Sequence, residues 1–327
     1  MTASTSLHRM HGHTAFVFPG QGSQKPGMLA ELAQQFALIQ QTFDQASVAL
    51  GFDLWAITQQ GEQLDQTAYT QPVLLTASVA IWRLWQELGG ATPVALAGHS
   101  LGEYSALVAA GSLALTDAVK LVHLRGQLMQ DAVSAGEGAM AALLGLGDAE
   151  VEALCLQVST EREQVVDAAN YNAAGQVVIA GHKTAVMQVI QLAKAQGAKA
   201  IVLPVSVPSH CRLMQPAAEQ LAQALADTRF VMPQIAVVQN VNARVEADSD
   251  AVKTALIEQL YRPVRWTQSM QTLANLGITH VVECGAGNVL ANLAKRLPNI
   301  KAAYPTDSKN RMEDALSAIS LAEGKLA

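Results

Sequence analysis

Short apolar segments closed by glycine or a polar turn alternate with long stretches of helical periodicity through most of the chain. This alternation restricts the fold more than any other feature, because it prescribes an α/β architecture, a sheet with helices packed on it. Strands are predicted over 15–18, 94–97, 235–238, 280–283 and 302–304. Helices are predicted over 28–50 and 71–88, with Pro72 in a first helical turn, where its missing N–H costs nothing. Between 139 and 204 the rhythm changes to strand 139–144, helix 148–158, strands 165–169 and 176–180 around a turn at 170–175, helix 183–196 and strand 199–203. The order βαββαβ is that of a ferredoxin-like unit, although the same elements would also fit as further members of one large sheet.

At 327 residues, half of them hydrophobic, the chain sits at the size where one core tends to divide, which suits a large domain with a smaller companion. The expected division is a mobile polar tail at 1–13 carrying His8, His11 and His13, a large domain from 14–133 and 206–327, and a small domain inserted at 134–205. The formal charge is −6, from 21 Lys+Arg against 27 Asp+Glu, without a long run of like charges, which argues against nucleic acid held on a broad basic face. No stretch reaches the ~18 apolar residues of a membrane span, and 14–18 is too short for a secretion-signal core, so the expected location is the cytoplasm. Cys155, Cys211 and Cys284 are far apart with no C-x-x-C spacing and are expected as reduced thiols; no metal site is expected.

The strongest local signal is Gly98-His-Ser-Leu-Gly102, a G-x-S-x-G pattern between a strand-like 93–97 and a helix-like 101–110. A serine at such a turn needs small neighbours, and the helix start behind it aims main-chain N–H groups at charge developing on an attacked carbonyl. The pattern alone fits both a nucleophilic Ser100, with Leu101 N–H as an oxyanion donor, and a glycine-flanked helix cap. A nucleophilic serine needs a base. Of the eight histidines, His210, in a loop ahead of a helix, is the one best placed, yet on spacing alone a surface loop histidine fits as well. The turns Gly20-Gln-Gly-Ser-Gln24 and Gly285-Ala-Gly-Asn-Val-Leu290 lack the third glycine of a dinucleotide loop and the Gly-Lys-Ser/Thr ending of a P-loop. The first can instead present N–H groups beside the elbow.

The ordered set Phe18-Pro-Gly-Gln-Gly-Ser-Gln24, Tyr69-Thr-Gln-Pro72, Ala97-Gly-His-Ser-Leu-Gly-Glu-Tyr-Ser-Ala-Leu107, Arg125-Gly126, Gly175-Gln-Val-Val-Ile-Ala-Gly181, Pro204-Val-Ser-Val-Pro-Ser-His210 and Tyr261-Arg-Pro-Val-Arg-Trp266 resembles the malonyl-CoA:acyl carrier protein transacylases of bacterial (type II) fatty acid synthesis. The resemblance runs from about residue 14 to beyond 300. It implies an α/β-hydrolase-like large domain with a mostly parallel sheet and an inserted ferredoxin-like small domain. It also implies that Ser100 accepts the acyl group, His210 is the general base, and Arg125 grips the free carboxylate of malonate. Main-chain N–H groups of Gln21 and Leu101 would form the oxyanion hole. The main-chain carbonyl of Gln259 would orient the histidine in place of a triad aspartate, and Gln71 and Asn172 would lie near the pocket.

By the same resemblance the donor is malonyl-CoA, no cofactor is needed, and phosphopantetheine arrives on an acyl carrier protein partner, loaded by ping-pong transfer. From the residues alone Arg125 reads as a helix-surface arginine. An acidic enzyme docking an acidic carrier requires a local cationic rim. Lys295 and Arg296 are the candidates, with Lys183 and Arg212 behind them, against the alternative of an ordinary solvated helix face. Nothing in the sequence resembles a coiled coil, and a monomer is expected. Rival functions are a serine thioesterase or hydrolase, a free-standing acyltransferase of polyketide synthesis or malonate decarboxylation, and a non-catalytic carrier-binding subunit.

Overall fold

The computed structural model describes residues 12–205 and 207–324. Strands β1 (Thr14–Phe18), β2 (Ala95–Gly98), β7 (Ala236–Val238), β8 (His280–Glu283) and β9 (Ala302–Pro305) form one all-parallel sheet in the order β7-β2-β1-β8-β9. These are the apolar segments expected from the alternation. The central strand β1 is buried at every position, as a parallel sheet covered on both faces demands.

The two faces follow the period of two along the strand. Phe16 and Phe18 enter the larger apolar cluster with the helices α2 (Ala37–Leu50), α4 (Thr67–Glu87) and α6 (Leu115–Asp131), while Ala15 and Val17 enter a second one with α11 (Trp266–Asn275) and α12 (Val289–Ala294). Phe16 meets Trp82 and Trp85 of α4 edge-to-face at 5.4 and 5.0 Å, contacts worth roughly 0.5–1.5 kcal/mol each beyond their burial. Helices α1 (Ala30–Gln35), α3 (Leu54–Gln60), α5 (Gly102–Ala109), α9 (Gln215–Asp227), α10 (Ser249–Gln259) and α13 (Lys309–Ala322) complete this part of the chain.

Residues of the central segment form a separate antiparallel sheet from β3 (Gly138–Leu144), β4 (Val166–Ala173), β5 (Gln176–His182) and β6 (Lys199–Val202), in the order β4-β5-β3-β6. With α7 (Asp148–Arg162) and α8 (Lys183–Ala195) this is the βαββαβ order, not a continuation of the parallel sheet. Ala139, Ala141 and Leu143 pack on the helices, whereas Met140 and Val178 project to the opposite face, which looks into the cleft between the two sheets.

Four expectations need correction. The helix expected over 28–50 is divided at Phe36, whose backbone is extended at φ −129 and ψ 105. The turn expected at 170–175 is confined to Ala174 and Gly175; Asn170 to Ala173 stay in β4, because Tyr171 N–H donates to the Val264 carbonyl (2.9 Å) and Val264 N–H to that of Ala169 (2.9 Å). Of the expected tail, residues 1–11, with His8 and His11, lie outside the described residues. His13 is tied into the sheet, its carbonyl accepting from Thr279 (2.9 Å) and His280 (3.0 Å) and its N–H donating to Glu323 Oε1 (2.9 Å).

The fourth correction concerns Pro72, which lies inside α4 because that helix begins at Thr67. Proline has no N–H, so the Ala68 carbonyl loses its helical donor. His123 of α6 replaces it, donating from Nδ1 to that carbonyl at 2.7 Å while its ring packs against Phe52 and Tyr69. The three cysteines are free and buried, and no helix among the described residues is long and apolar enough to cross a membrane. Since His123 repairs the gap left by Pro72, His123→Phe is expected to lower unfolding free energy by about 1–2 kcal/mol in urea titrations, and by clearly less in a Pro72→Ala background, where the helical N–H is restored.

Candidate active site

Ser100 stands at the turn from β2 into α5 with φ 53, in the left-handed region that costs a residue with a Cβ roughly 1–2 kcal/mol. The flanking glycines are required by close approach: a Cβ on Gly98 would come 1.9 Å from the Gly102 carbonyl, and one on Gly102 would come 2.0 Å from that of Phe18. Strain of this kind persists only when the surroundings fix it. Here Asn240, just past β7, spans the turn, accepting from Ser100 N–H (2.7 Å) and donating from Nδ2 to the Gly98 carbonyl (2.6 Å). The Ser100 carbonyl accepts from Nε2 of Gln259 (2.9 Å).

His210 also has a left-handed backbone, φ 63, and is held by two successive carbonyls at the end of α10. Its N–H donates to Leu260 (3.0 Å) and its Nδ1 to Gln259 (2.7 Å). With the proton on Nδ1, Nε2 is the acceptor for the Ser100 hydroxyl at 2.7 Å. Burial, then the neighbouring Arg125 cation, pushes the imidazole down to about 3 against the opposing pull of the Gln259 carbonyl, so the ring is neutral at physiological pH.

Arg125 is not a surface residue: it is 1 % exposed. Its Nη1 donates to Gln71 Oε1 (2.9 Å), its Nη2 donates to Gln259 Oε1 (2.9 Å), and Nη2 lies 3.4 Å from Ser100 Oγ. No carboxylate touches it, and its Nε has no partner among the described residues. The guanidinium also lies over the Tyr104 ring at 5.7 Å, and a buried guanidinium held by neutral groups alone is a strong attractor for an anion. Burial lowers its pKa.

Ser100, His210 and Arg125 line a cavity of about 250 Å³ between the two sheets. Gln21 and Leu101 border it, and neither main-chain N–H is bonded to another main-chain group among the described residues. Asn172 reaches the cavity from β4 and accepts from His99 Nε2 (2.8 Å), so it acts on the histidine before Ser100 rather than on the serine. His99 is itself held down in pKa by burial. Among the described residues no group of three or more His, Cys, Asp or Glu side chains could hold a metal.

Of the cations considered for a docking rim, Arg296 donates to Gln176 Oε1 (2.8 Å) and Arg212 is paired with Asp167 (2.8 Å), while Lys295 and Lys183 are exposed. Sequence reasoning did not single out Asn240, Glu103 or the side chain of Gln259. Glu103 carried a signal, a lone acid in the apolar run 101–110, and Asn240 a weaker one, a polar residue just past the carboxyl end of a strand.

An α/β fold with a strained serine at a strand-to-helix elbow, a histidine in contact with it and a buried guanidinium alongside has the chemistry of acyl transfer, and the sequence agrees: residues 15–303 match the acyl transferase domain, so the chain belongs to the acyl transferase family. More narrowly, it is similar to the malonyl CoA-acyl carrier protein transacylase of Escherichia coli (strain K12), with 52% identity over 305 residues covering 92% of this chain and 98% of the relative. The crystal structure of FabD from Acinetobacter baumannii superposes with a TM-score of 0.95 at 64% identity, covering 95% of this chain and 99% of that one. A type II PKS acyl-carrier protein in complex with its malonyl-transacylase gives 0.91 at 49% identity, covering 94% of this chain and 100% of the solved one.

Asn240 gives the site a sharp test. Asn240→Ala leaves the Gly98 carbonyl and the Ser100 N–H unpaired and is expected to cost about 2–3 kcal/mol of stability in urea unfolding. Asn240→Asp, which sets a carboxylate oxygen against the Gly98 carbonyl, is expected to lose at least as much despite its matching shape.

Proposed function

We propose that this protein transfers the malonyl group from malonyl-CoA to the phosphopantetheine thiol of an acyl carrier protein through a malonyl-Ser100 intermediate, supplying fatty acid elongation. His210 Nε2 takes the Ser100 proton as Oγ attacks the thioester carbonyl. The Gln21 and Leu101 N–H groups receive the oxyanion, and collapse of the tetrahedral adduct breaks the C–S bond, with the proton leaving on the CoA thiol. The carrier thiol then reverses these steps, giving its proton to His210 as it attacks the ester and returning Ser100 to its hydroxyl form. An oxyanion donor is typically worth about 3 kcal/mol, so the main chain at Gln21 and Leu101 weighs as much as the named side chains.

The observation that carries this reading is Arg125, a buried cation with no carboxylate partner among the described residues, whose Nη2 lies 3.4 Å from the Ser100 oxygen. A carboxylate at the far end of an acyl group on Ser100 meets it, and an acetyl group leaves it without an anion. The same contact has a second effect: a carboxylate against Arg125 offsets one of the charges that depress His210 and makes the base stronger when the correct acyl group is bound. The Gln259 carbonyl takes the orienting place of a triad acid.

The proposal includes the division of the chain at 134–205 into an inserted small domain, a monomeric state, a cytoplasmic location and the absence of any cofactor. The solved complex with a polyketide carrier favours one alternative, the same chemistry serving polyketide synthesis. Intact-protein mass spectrometry after mixing with malonyl-CoA is expected to show a malonyl adduct on Ser100 that moves to holo acyl carrier protein when this is added. Free malonate in its place would indicate a hydrolase, and transfer only to a polyketide carrier would move the protein to that pathway. Arg125→Ala is expected to lower malonyl transfer by about thirtyfold or more, on the order of the 2–5 kcal/mol of a desolvated charge pair, and acetyl transfer far less. Equal losses would remove Arg125 from carboxylate recognition.

A further inference from the structure

Glu103 lies three residues beyond Ser100, in the first turn of α5, and is fully buried. Its Oε2 accepts from the main-chain N–H of Asn240 (2.8 Å) and from Nε2 of Gln259 (3.1 Å), while Oε1 has no partner among the described residues. The other end of the same Gln259 amide accepts from Arg125 Nη2 at 2.9 Å. One amide thus stands between a buried carboxylate and a buried guanidinium, its NH₂ turned to the anion and its carbonyl to the cation. Arg125 on α6, Glu246 in the segment after β7 and Tyr104 beside it on α5 are the charged and titratable groups that act on this site, and Asn240 and Gln259 add neutral amides. A buried carboxylate oxygen without a donor needs an explanation, and a place for a proton is one.

We propose that Glu103 is the exchangeable counter-charge of Arg125: it shares the guanidinium with the carboxylate of the incoming acyl group, and a proton from solvent taken up on Glu103 tightens the hold of Arg125 on that carboxylate. This rests on the reading of Arg125 as the malonyl carboxylate site. Glu103 does not touch the acyl group; it is a positioning residue acting through Gln259 and Arg125. Two anions compete for one cation, so the acyl carboxylate binds best when Glu103 is neutral. Burial drives the Glu103 carboxyl up to about 7, opposed by its bonds from Asn240 and Gln259 and by Arg125. Below that pH the residue is protonated and Arg125 is left for the substrate; above it the carboxylate competes. Affinity for a carboxylate-bearing acyl group therefore falls as pH rises through this range. At an effective dielectric of about 20, Coulomb coupling between two unit charges still corresponds to about tenfold in binding at about 12 Å, and to more at shorter range.

The test measures KM and kcat for acylation of the full chain between pH 6 and 8.5 with malonyl-CoA and with malonamyl-CoA, a neutral isostere whose CoA part titrates identically. KM for malonyl-CoA is expected to rise by about tenfold or more across the range relative to that for malonamyl-CoA. Glu103→Gln keeps the acceptor for Asn240 and Gln259 and is expected to abolish the difference, with KM for malonyl-CoA at pH 8 brought down to the wild-type value at pH 6. Parallel pH profiles for the two thioesters in the wild-type protein overturn the proposal, and this comparison stands even if the variant does not fold. So does a pH dependence retained in Glu103→Gln. Absence of a malonyl adduct on Ser100 at every pH strikes the underlying reading and takes this inference with it, whereas normal adduct formation with a pH-independent KM removes Glu103 alone.

Discussion

A positive charge held out of water, with no anion among the described residues touching it, is the constraint around which the cleft is built. Isolated ions are expelled from protein interiors unless they are paired or their hydrogen-bonding groups are met. Arg125 is accommodated by placing amide oxygens from α4 and α10 on its two terminal nitrogens, so these helices must converge on α6 at the same depth. The replacement of the Pro72 hydrogen bond by His123 belongs to the same contact. It fastens the start of α4 to α6 one turn from Gln71 and keeps that amide opposite the guanidinium.

The second organising element is the backbone of the elbow. Ser100 and His210 both adopt left-handed conformations, and each is tied by groups from elsewhere in the chain: Asn240 and Gln259 for the serine, Leu260 and Gln259 for the histidine. Gln259 belongs to both sets. Its main-chain carbonyl accepts from the imidazole while its side chain reaches the serine carbonyl, the guanidinium and Glu103, so the elbow serine, the histidine and the buried cation share one residue at the end of α10. The segment 261–266 braces this arrangement from outside, since Arg265 N–H donates to the Asn240 carbonyl (3.0 Å) and the Trp266 ring lies 5.4 Å from that of His99.

What was legible in the sequence follows from whether a signal is local. The parallel strands could be read because each is a short apolar run with turn residues at its end, and the elbow because two glycines, a serine and a helix start fall within a few positions. The βαββαβ order was visible, but the extension of β4 through Asn170 to Ala173 was not, because polar residues that look like a turn are held straight by Val264. Arg125 alone resembled a surface residue; its burial depends on helices that pack over α6 from distant parts of the chain, and only the ordered set of motifs pointed to it. Asn240 depends on strand order. Pairing of Ala97 with Val238 in the sheet carries it to the elbow, and nothing near it in sequence announces that neighbour.

The amide partners of Arg125 bear on how the acyl preference of such an enzyme could be rebuilt. Gln71 and Gln259 turn their carbonyl oxygens toward the same guanidinium, so a matched pair of acceptors stands behind the one multiple donor that lines the cavity. Exchanging the arginine for an apolar side chain would leave two acceptors facing a surface that offers them nothing. A version of this cleft suited to a saturated acyl chain is therefore at least a three-position redesign, and a library that varies the arginine alone samples only the frustrated corner of it.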